Sequence, residues 1–322
     1  MAATKILFRV RDYDLAATLD SGQAFRWQKQ NDSWIGIIGR NWVRLMQTSE
    51  GIFAETAELQ KNWKWLRDYL QIDLSLAAVL KTFPDDAPMR DAVAACRGLR
   101  VLRQEPWECL ASFILSSTKQ IVQIRQIVSL LCERFGERLA PEPPASCGLF
   151  YSFPSPQRIA AAGEAGLRAC KMGFRAPHLL GAARQIAEGK LDLEKIRELN
   201  YSEARAELMK LRGVGGKIAD CVLLFACGFD SAFPVDVWVE RALQKLYFPR
   251  RRATQKRLRH FAATHFGPHA GYAQQYLFHF MRTKAGQIRP HGQRPLVFAS
   301  KEWKIHGVKK NASTTDATTS EK

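Results

Sequence analysis

The chain of 322 residues is short of acid and has no paired cysteines. Asp and Glu number 31 against 48 Lys and Arg, a formal net charge of +17. That imbalance argues against cationic partners and for a polyanion. Seven cysteines lie between Cys96 and Cys227, with no Cys-x-x-Cys pair among them. An odd count without that spacing offers neither a disulfide framework nor a zinc site, and reduced thiols fit an intracellular compartment. No apolar run is long enough to span a bilayer, and the opening MAATKILFRVRDYDL carries no hydrophobic signal core. A membrane and a secreted destination are therefore not expected. Internal repeats are missing too. What is present is a basic chain, 46% hydrophobic, long enough for two or three domains with sizeable cores.

One stretch concentrates chemistry. Leu211 to Asp236 reads LRGVGGKIADCVLLFACGFDSAFPVD. Gly213 and Gly215 permit a tight hairpin between two helices. Such a turn points amide N–H groups outward at a helix start, a ready phosphate site. Lys217, in the first turn of the second helix, and Asp236, brought back by the chain, form a candidate nucleophile and partner. Taken alone, such glycine turns are common, and lysines near helix starts are mostly solvated charges.

The rest of the chain divides by composition. Ile6–Val10, Phe25–Gln28, Trp34–Ile38 and Val43–Met46 are β-rich, with turn residues at Asn31-Asp32, Gly39-Arg40-Asn41 and Ser49-Glu50-Gly51. That pattern predicts an antiparallel sheet. Helical stretches at Trp63–Leu70 and Leu76–Leu80 complete an α+β domain over residues 1–95. From Cys96 onward the pattern is helical: Trp107–Ile114, a break near Ser116-Ser117, then Ile121, Ile124, Val128 and Leu131 at helical spacing. A Pro-rich linker (Pro141-Glu142-Pro143-Pro144) follows, and Ser155 with Pro156 opens the next helix. The all-α domain is expected to run over 96–298 with its hairpin at 205–226, and 299–322 reads as a disordered tail. Arg250-Arg251-Arg252 with Lys256, Arg257 and Arg259 forms a basic run, by default a solvated helix face, which at this net charge also reads as a phosphate-tracking patch.

Taken together, these motifs resemble the 8-oxoguanine DNA glycosylase/AP lyase family, within the helix-hairpin-helix glycosylase superfamily. The likeness rests on Ser21-Gly22-Gln23-Ala24-Phe25-Arg26-Trp27, on Gln104-Glu105-Pro106-Trp107 through Ser117, on the hairpin with Lys217 and Pro234-Val235-Asp236, and on Ala270–Phe278. It covers about residues 5 to 285. It implies an N-terminal antiparallel sheet domain followed by a helical glycosylase core. It also implies a bifunctional enzyme that flips 8-oxoguanine out of double-stranded DNA, excises it and cleaves the strand by β-elimination. In that family the lysine matched by Lys217 forms the Schiff base, and the aspartate matched by Asp236 stabilises charge on the sugar. Gly22 is implied to accept the N7–H that oxidised guanine has and guanine lacks. Gln274 and Phe278, four apart on one helix face, are implied to read and stack on the flipped base, with Cys221 and Pro234 packed around it. By spacing alone Phe278 and Cys221 read as core residues. Phe174 matches a wedging aromatic and Arg175 the contact to the orphaned cytosine. The amides of Gly213 and Gly215 would hold a phosphate, with a hairpin-bound cation as an option. No iron–sulfur cluster is expected, because no cysteine follows Cys227, where endonuclease III-type relatives place theirs. No other cofactor or metal is called for, and a monomer is expected.

Some positions depart from the family pattern. Thr118, Lys119 and Gln120 stand where the family usually carries an asparagine run, and Gln123 where many members have an arginine. Trp238 replaces a phosphate-contacting histidine, and the chain is short between Tyr247 and Phe261. The resemblance implies DNA contact at these positions, although Thr118, Lys119 and Gln120 read equally well as a polar helix cap, and the departures imply weaker discrimination of the opposite base. Two other readings stay open: a monofunctional glycosylase, which Lys217 argues against, and a non-catalytic hairpin DNA-binding protein.

Overall fold

The computed structural model describes residues 4–57, 59–117, 120–144, 148–250 and 252–283. Thr118, Lys119, Arg251 and the expected tail lie outside these residues. The chain opens with β1 (Thr4–Phe8) and α1 (Leu15–Asp20), then β2 (Gln28–Gln30), β3 (Ser33–Ile38), β4 (Asn41–Thr48) and β5 (Gly51–Thr56). The sheet is antiparallel throughout, in the order β1-β5-β4-β3-β2. Alternation along the strands feeds two faces. Phe8, Trp34, Val43, Leu45, Ile52 and Ala54 pack with Leu15 and Leu19 of α1 and with Leu66 and Leu70 of α2 (Lys64–Leu70). On the opposite face Ile35, Ile37 and Trp42 are covered by Leu139.

The strand expected over Phe25–Gln28 is a correction: only Gln28 begins a strand. Phe25 stands edge-on to Phe113 at 5.5 Å, Arg26 pairs with Glu108 at 3.2 Å, and the Trp27 indole N–H donates to the Tyr69 hydroxyl at 2.9 Å. All three side chains are buried, aimed at three different parts of the molecule. A paired strand offers its successive residues only two faces. The segment therefore serves as a strap between the sheet and the helices. Helix α1 and a separate strand β5 were not anticipated. Asp14 caps α1, accepting the Ala17 N–H at 2.8 Å.

The helical part comprises α3 (Leu76–Leu80), α4 (Ala87–Ala95), α5 (Pro106–Leu115), α6 (Ile121–Phe135), α7 (Pro156–Arg168), α8 (Ala176–Ala187), α9 (Tyr201–Met209), α10 (Gly216–Val222), α11 (Val237–Tyr247), α12 (Gln255–His265) and α13 (Ala270–Arg282). Helix starts follow side-chain chemistry. Glu105 caps α5 with Pro106 at its first position, and Ser155 caps α7 with Pro156 likewise. Helix α5 is buried on every side, from Trp107 to Leu115 apart from Glu108, and forms the axis of the main core. Around it pack Leu131, Leu179, Leu208, Val222, Leu243 and Leu277 from six other helices. The catalytic candidates stand at the C-terminal end of this axis.

Candidate active site

The hairpin between α9 and α10 is fixed from both sides. Asn200 caps α9 by accepting the Glu203 N–H at 3.0 Å. The buried Asp220 carboxylate on α10 accepts from Tyr201 Oη at 2.9 Å and from Arg205 Nε at 2.8 Å, which ties the two helices together. Burial raises the Asp220 carboxyl, opposed by Arg205. In the turn Val214 is buried while Gly213 and Gly215 are exposed. Gly213 has φ +88°, and a Cβ there would lie 2.5 Å from the His178 ring, so the position favours glycine twice over. The exposed amides of this turn lie outside the base-sized pocket described next.

Lys217 is the second residue of α10. Its Nζ donates to Ser116 Oγ at 2.8 Å and stands 5.2 Å from the Phe113 ring centroid, both at the end of α5. Below Phe113, Phe225 stacks parallel to it at 5.5 Å. Phe225 belongs to a π-helical turn, Leu223–Cys227, that continues α10. Asp236 caps α11, accepting the N–H groups of Trp238 and Val239 at 2.9 and 2.8 Å. Burial raises the Asp236 carboxyl above the usual carboxylate range, against the pull of those amides and of Lys217. Cys221 is buried one turn after Lys217, its thiol pushed up to about 12 by burial although Lys217 lowers it. At that value it stays a thiol.

Lys217 and Asp236 open onto a pocket of about 410 Å³. Gly22, Gln120, Cys221, Pro234, Trp238, Gln274 and Phe278 line it as well. Gly22 is held there by its neighbour. The Gln23 side chain, fully buried, donates to the Thr18 and Arg100 carbonyls at 2.9 and 2.8 Å and accepts the Leu102 N–H at 2.8 Å. Gly22 itself has φ +81°, and an added Cβ would meet Ile121 Cδ1 at 2.7 Å. Gln274 is buried, and its Oε1 has no hydrogen-bond partner among the described residues. An unpaired buried acceptor costs about 1–3 kcal/mol, which a bound ligand bearing an N–H would recover.

Other candidates fall elsewhere. Gln123 is exposed, and its Oε1 accepts the Gln120 N–H at 3.1 Å at the start of α6. Phe174 is 59% exposed on the turn before α8, with the Arg175 guanidinium buried 4.3 Å from its ring centroid. Burial lowers the Arg175 pKa. Arg250, Arg252, Lys256, Arg257 and Arg259 are exposed on α12 and its approach. Sequence reasoning missed Ser116 as the partner of Lys217, and it missed Phe113, Ile121, Phe225 and Arg282 as pocket lining. For Arg282 a signal existed, since it lies four residues beyond Phe278 on the same helical face.

This architecture matches two family descriptions in succession. Residues 5–110 match the 8-oxoguanine DNA glycosylase N-terminal domain, and residues 111–267 the HhH-GPD superfamily of base excision DNA repair proteins. The chain is 31% identical over 268 residues to the N-glycosylase/DNA lyase of Saccharomyces cerevisiae, covering 76% of this chain and 70% of the yeast protein. It is 31% identical over 282 residues to the N-glycosylase/DNA lyase OGG1 of Arabidopsis thaliana, covering 82% and 76%. Among solved structures it is similar to the 8-oxoguanine glycosylase/lyase of Clostridium acetobutylicum in complex with double-stranded DNA containing cytosine opposite 8-oxoG. The TM-score there is 0.78, with 33% identity over 84% of this chain and 92% of that one. The fold and site thus define a base excision repair protein of the helix-hairpin-helix class. Within that class the chain belongs to the 8-oxoguanine DNA glycosylase family.

Proposed function

We propose that Lys217 and Asp236 carry a bifunctional glycosylase/lyase reaction on 8-oxoguanine flipped from duplex DNA into the 410 Å³ pocket. One observation carries this reading: the lysine and the raised carboxyl face one pocket with the stacking ring of Phe278 and the unpartnered oxygen of Gln274. Flipping is required because C1′ and the base edges are closed off in the stack. Ser116 aims the Lys217 nitrogen. As its lone pair bonds to C1′, the C1′–N9 pair leaves with the base. Asp236 faces the positive charge that develops on the sugar. Loss of the lysine proton and ring opening give the imine. The imine acidifies the 2′ C–H, and its removal expels the 3′ phosphate. No redox step is involved. The hairpin amides and the exposed arginines of α12 serve the DNA backbone, on which the protein works as a monomer inside the cell.

Borohydride trapping on a duplex with one 8-oxoguanine opposite cytosine, beside undamaged and abasic duplexes, tests the reading. A covalent adduct with the lesion duplex, lost in Lys217→Gln, is expected, with excision reduced at least about 10³-fold. An adduct only with abasic DNA would keep the lyase chemistry and reject the base. No adduct with any duplex would move the reading to a monofunctional glycosylase.

A further inference from the structure

Arg282 ends α13, one turn beyond Phe278 and two beyond Gln274, so the three form one stripe facing the pocket. Its guanidinium lines that pocket and lies 5.2 Å from the Phe278 ring centroid. Nη1 comes within 3.1 Å of where a Cβ on Gly22 would stand. The guanidinium is therefore beside the glycine and over the Phe278 ring. Among the described residues no acceptor hydrogen-bonds to it. Asp20 and Asp236 act on it only through charge, and Asp20 is engaged by Arg125 at 2.6 Å. A half-buried guanidinium has five donors and no acceptor capacity, so in this pocket it offers those donors to a ligand that brings oxygen. Burial also lowers its pKa, though a guanidinium remains charged.

We propose that Arg282 reads the lesion, donating to an exocyclic carbonyl oxygen of the flipped oxidised purine beside the N7–H accepted by Gly22. This rests on the reading of the pocket given above. Oxidation at C8 turns one edge of guanine into acceptor, donor, acceptor: O6, N7–H, O8. A carbonyl at Gly22 satisfies only the middle group. A guanidinium next to it satisfies a flanking oxygen, and the bond is charge-assisted. When the C1′–N9 pair departs with the base, negative charge spreads onto these same oxygens, so the contact strengthens as the bond breaks.

The test uses the full chain as wild type, R282L and R282K, with three readouts. These are single-turnover excision of 8-oxoguanine opposite cytosine, β-elimination on a preformed abasic duplex, and affinity for a duplex carrying a tetrahydrofuran abasic analogue. R282L is expected to slow excision about tenfold to hundredfold, with part recovered in R282K. Elimination and tetrahydrofuran affinity should hold within about twofold. With 8-oxoadenine, which keeps O8 but has an amine at C6, a persisting R282L loss assigns the contact to O8, and a vanished one to O6. An equal fall on the abasic and tetrahydrofuran duplexes would make Arg282 a backbone or folding residue and overturn the proposal. Unchanged excision in R282L would overturn it as well, while leaving the function reading intact. A wild type inert on the lesion overturns both.

Discussion

Around Lys217, side chains from the loop at Gly22, from α5, α10, α11 and α13 converge on one half-enclosed space. By contrast, Gln123 in the first turn of α6 bonds back to its own helix start, and Phe174, on the turn before α8, faces solvent. The first region is specified by packing: Gly22 is boxed by Ile121, Arg282 and Phe278, and Asp236 is pinned by two amides. Gln123 and Phe174 have few such constraints, and Gln123 is also a position where the chain departs from its family's pattern. A buried constellation tolerates little change because a group lost there leaves its neighbours without water to replace it. Exposed turns can be rewritten at small cost to stability.

Asp236→Asn should show the largest effect short of losing the nucleophile. Excision is expected to fall about 10²- to 10³-fold with the charge that faces the sugar. An asparagine oxygen can still accept the Trp238 and Val239 amides, so the cap survives. The pH dependence has a definite sign. Burial raises the folded-state carboxyl, so folding favours the protonated form. That contribution is present below about pH 4 and lost as pH rises through the folded value. Wild type should therefore lose stability relative to Asp236→Asn across that window, while excision by wild type rises through it. Thermal melts and rate profiles of both proteins check this. A melting difference that stays constant with pH would contradict it.

Next in size is Gly22→Ala. The positive φ and the contact with Ile121 predict a stability loss of about 1–2 kcal/mol and a fall in excision of about tenfold or more. β-Elimination at an abasic site should suffer less, because no base need be seated. Comparable loss on both substrates would mean that the loop supports the fold rather than the base.

Asp220→Ala separates scaffold from chemistry. It strands the Tyr201 hydroxyl and Arg205 beneath the hairpin, costing about 2 kcal/mol and lowering Tm by roughly 5 °C. Excision at 25 °C should change little once the folded fraction is counted, which chevron analysis and active-site titration can measure.

Smallest should be Gln123→Ala, about 0.5 kcal/mol for the helix start with no change in the cytosine-to-adenine rate ratio. In wild type that ratio is expected below about a hundredfold, nearly 3 kcal/mol. A larger preference in single-turnover assays would show that other residues read the opposite base.

Much of this was readable in advance, unevenly. The antiparallel sheet followed from alternation and turn residues in 34–48, and the capped start at Pro156 from local chemistry. Phe25–Trp27 was misread as strand because its apolar residues look the same whether they pair in a sheet or anchor a strap. Phe278 and Cys221 read as core by spacing and do pack, yet both also line the pocket. Periodicity reports that a side chain is covered and is silent on what covers it.

By itself, then, the sequence determined the hairpin glycines and the lysine at the start of its second helix, since turns and helix starts depend on neighbours in the chain. Only the tertiary structure decided that Ser116 holds Lys217 across a separation of 101 residues, that Gln23 locks Gly22 in place, and that Arg282 stands beside that glycine. Those contacts arise from how helices and loops pack against each other, and distances in space between remote segments leave no local trace in the chain.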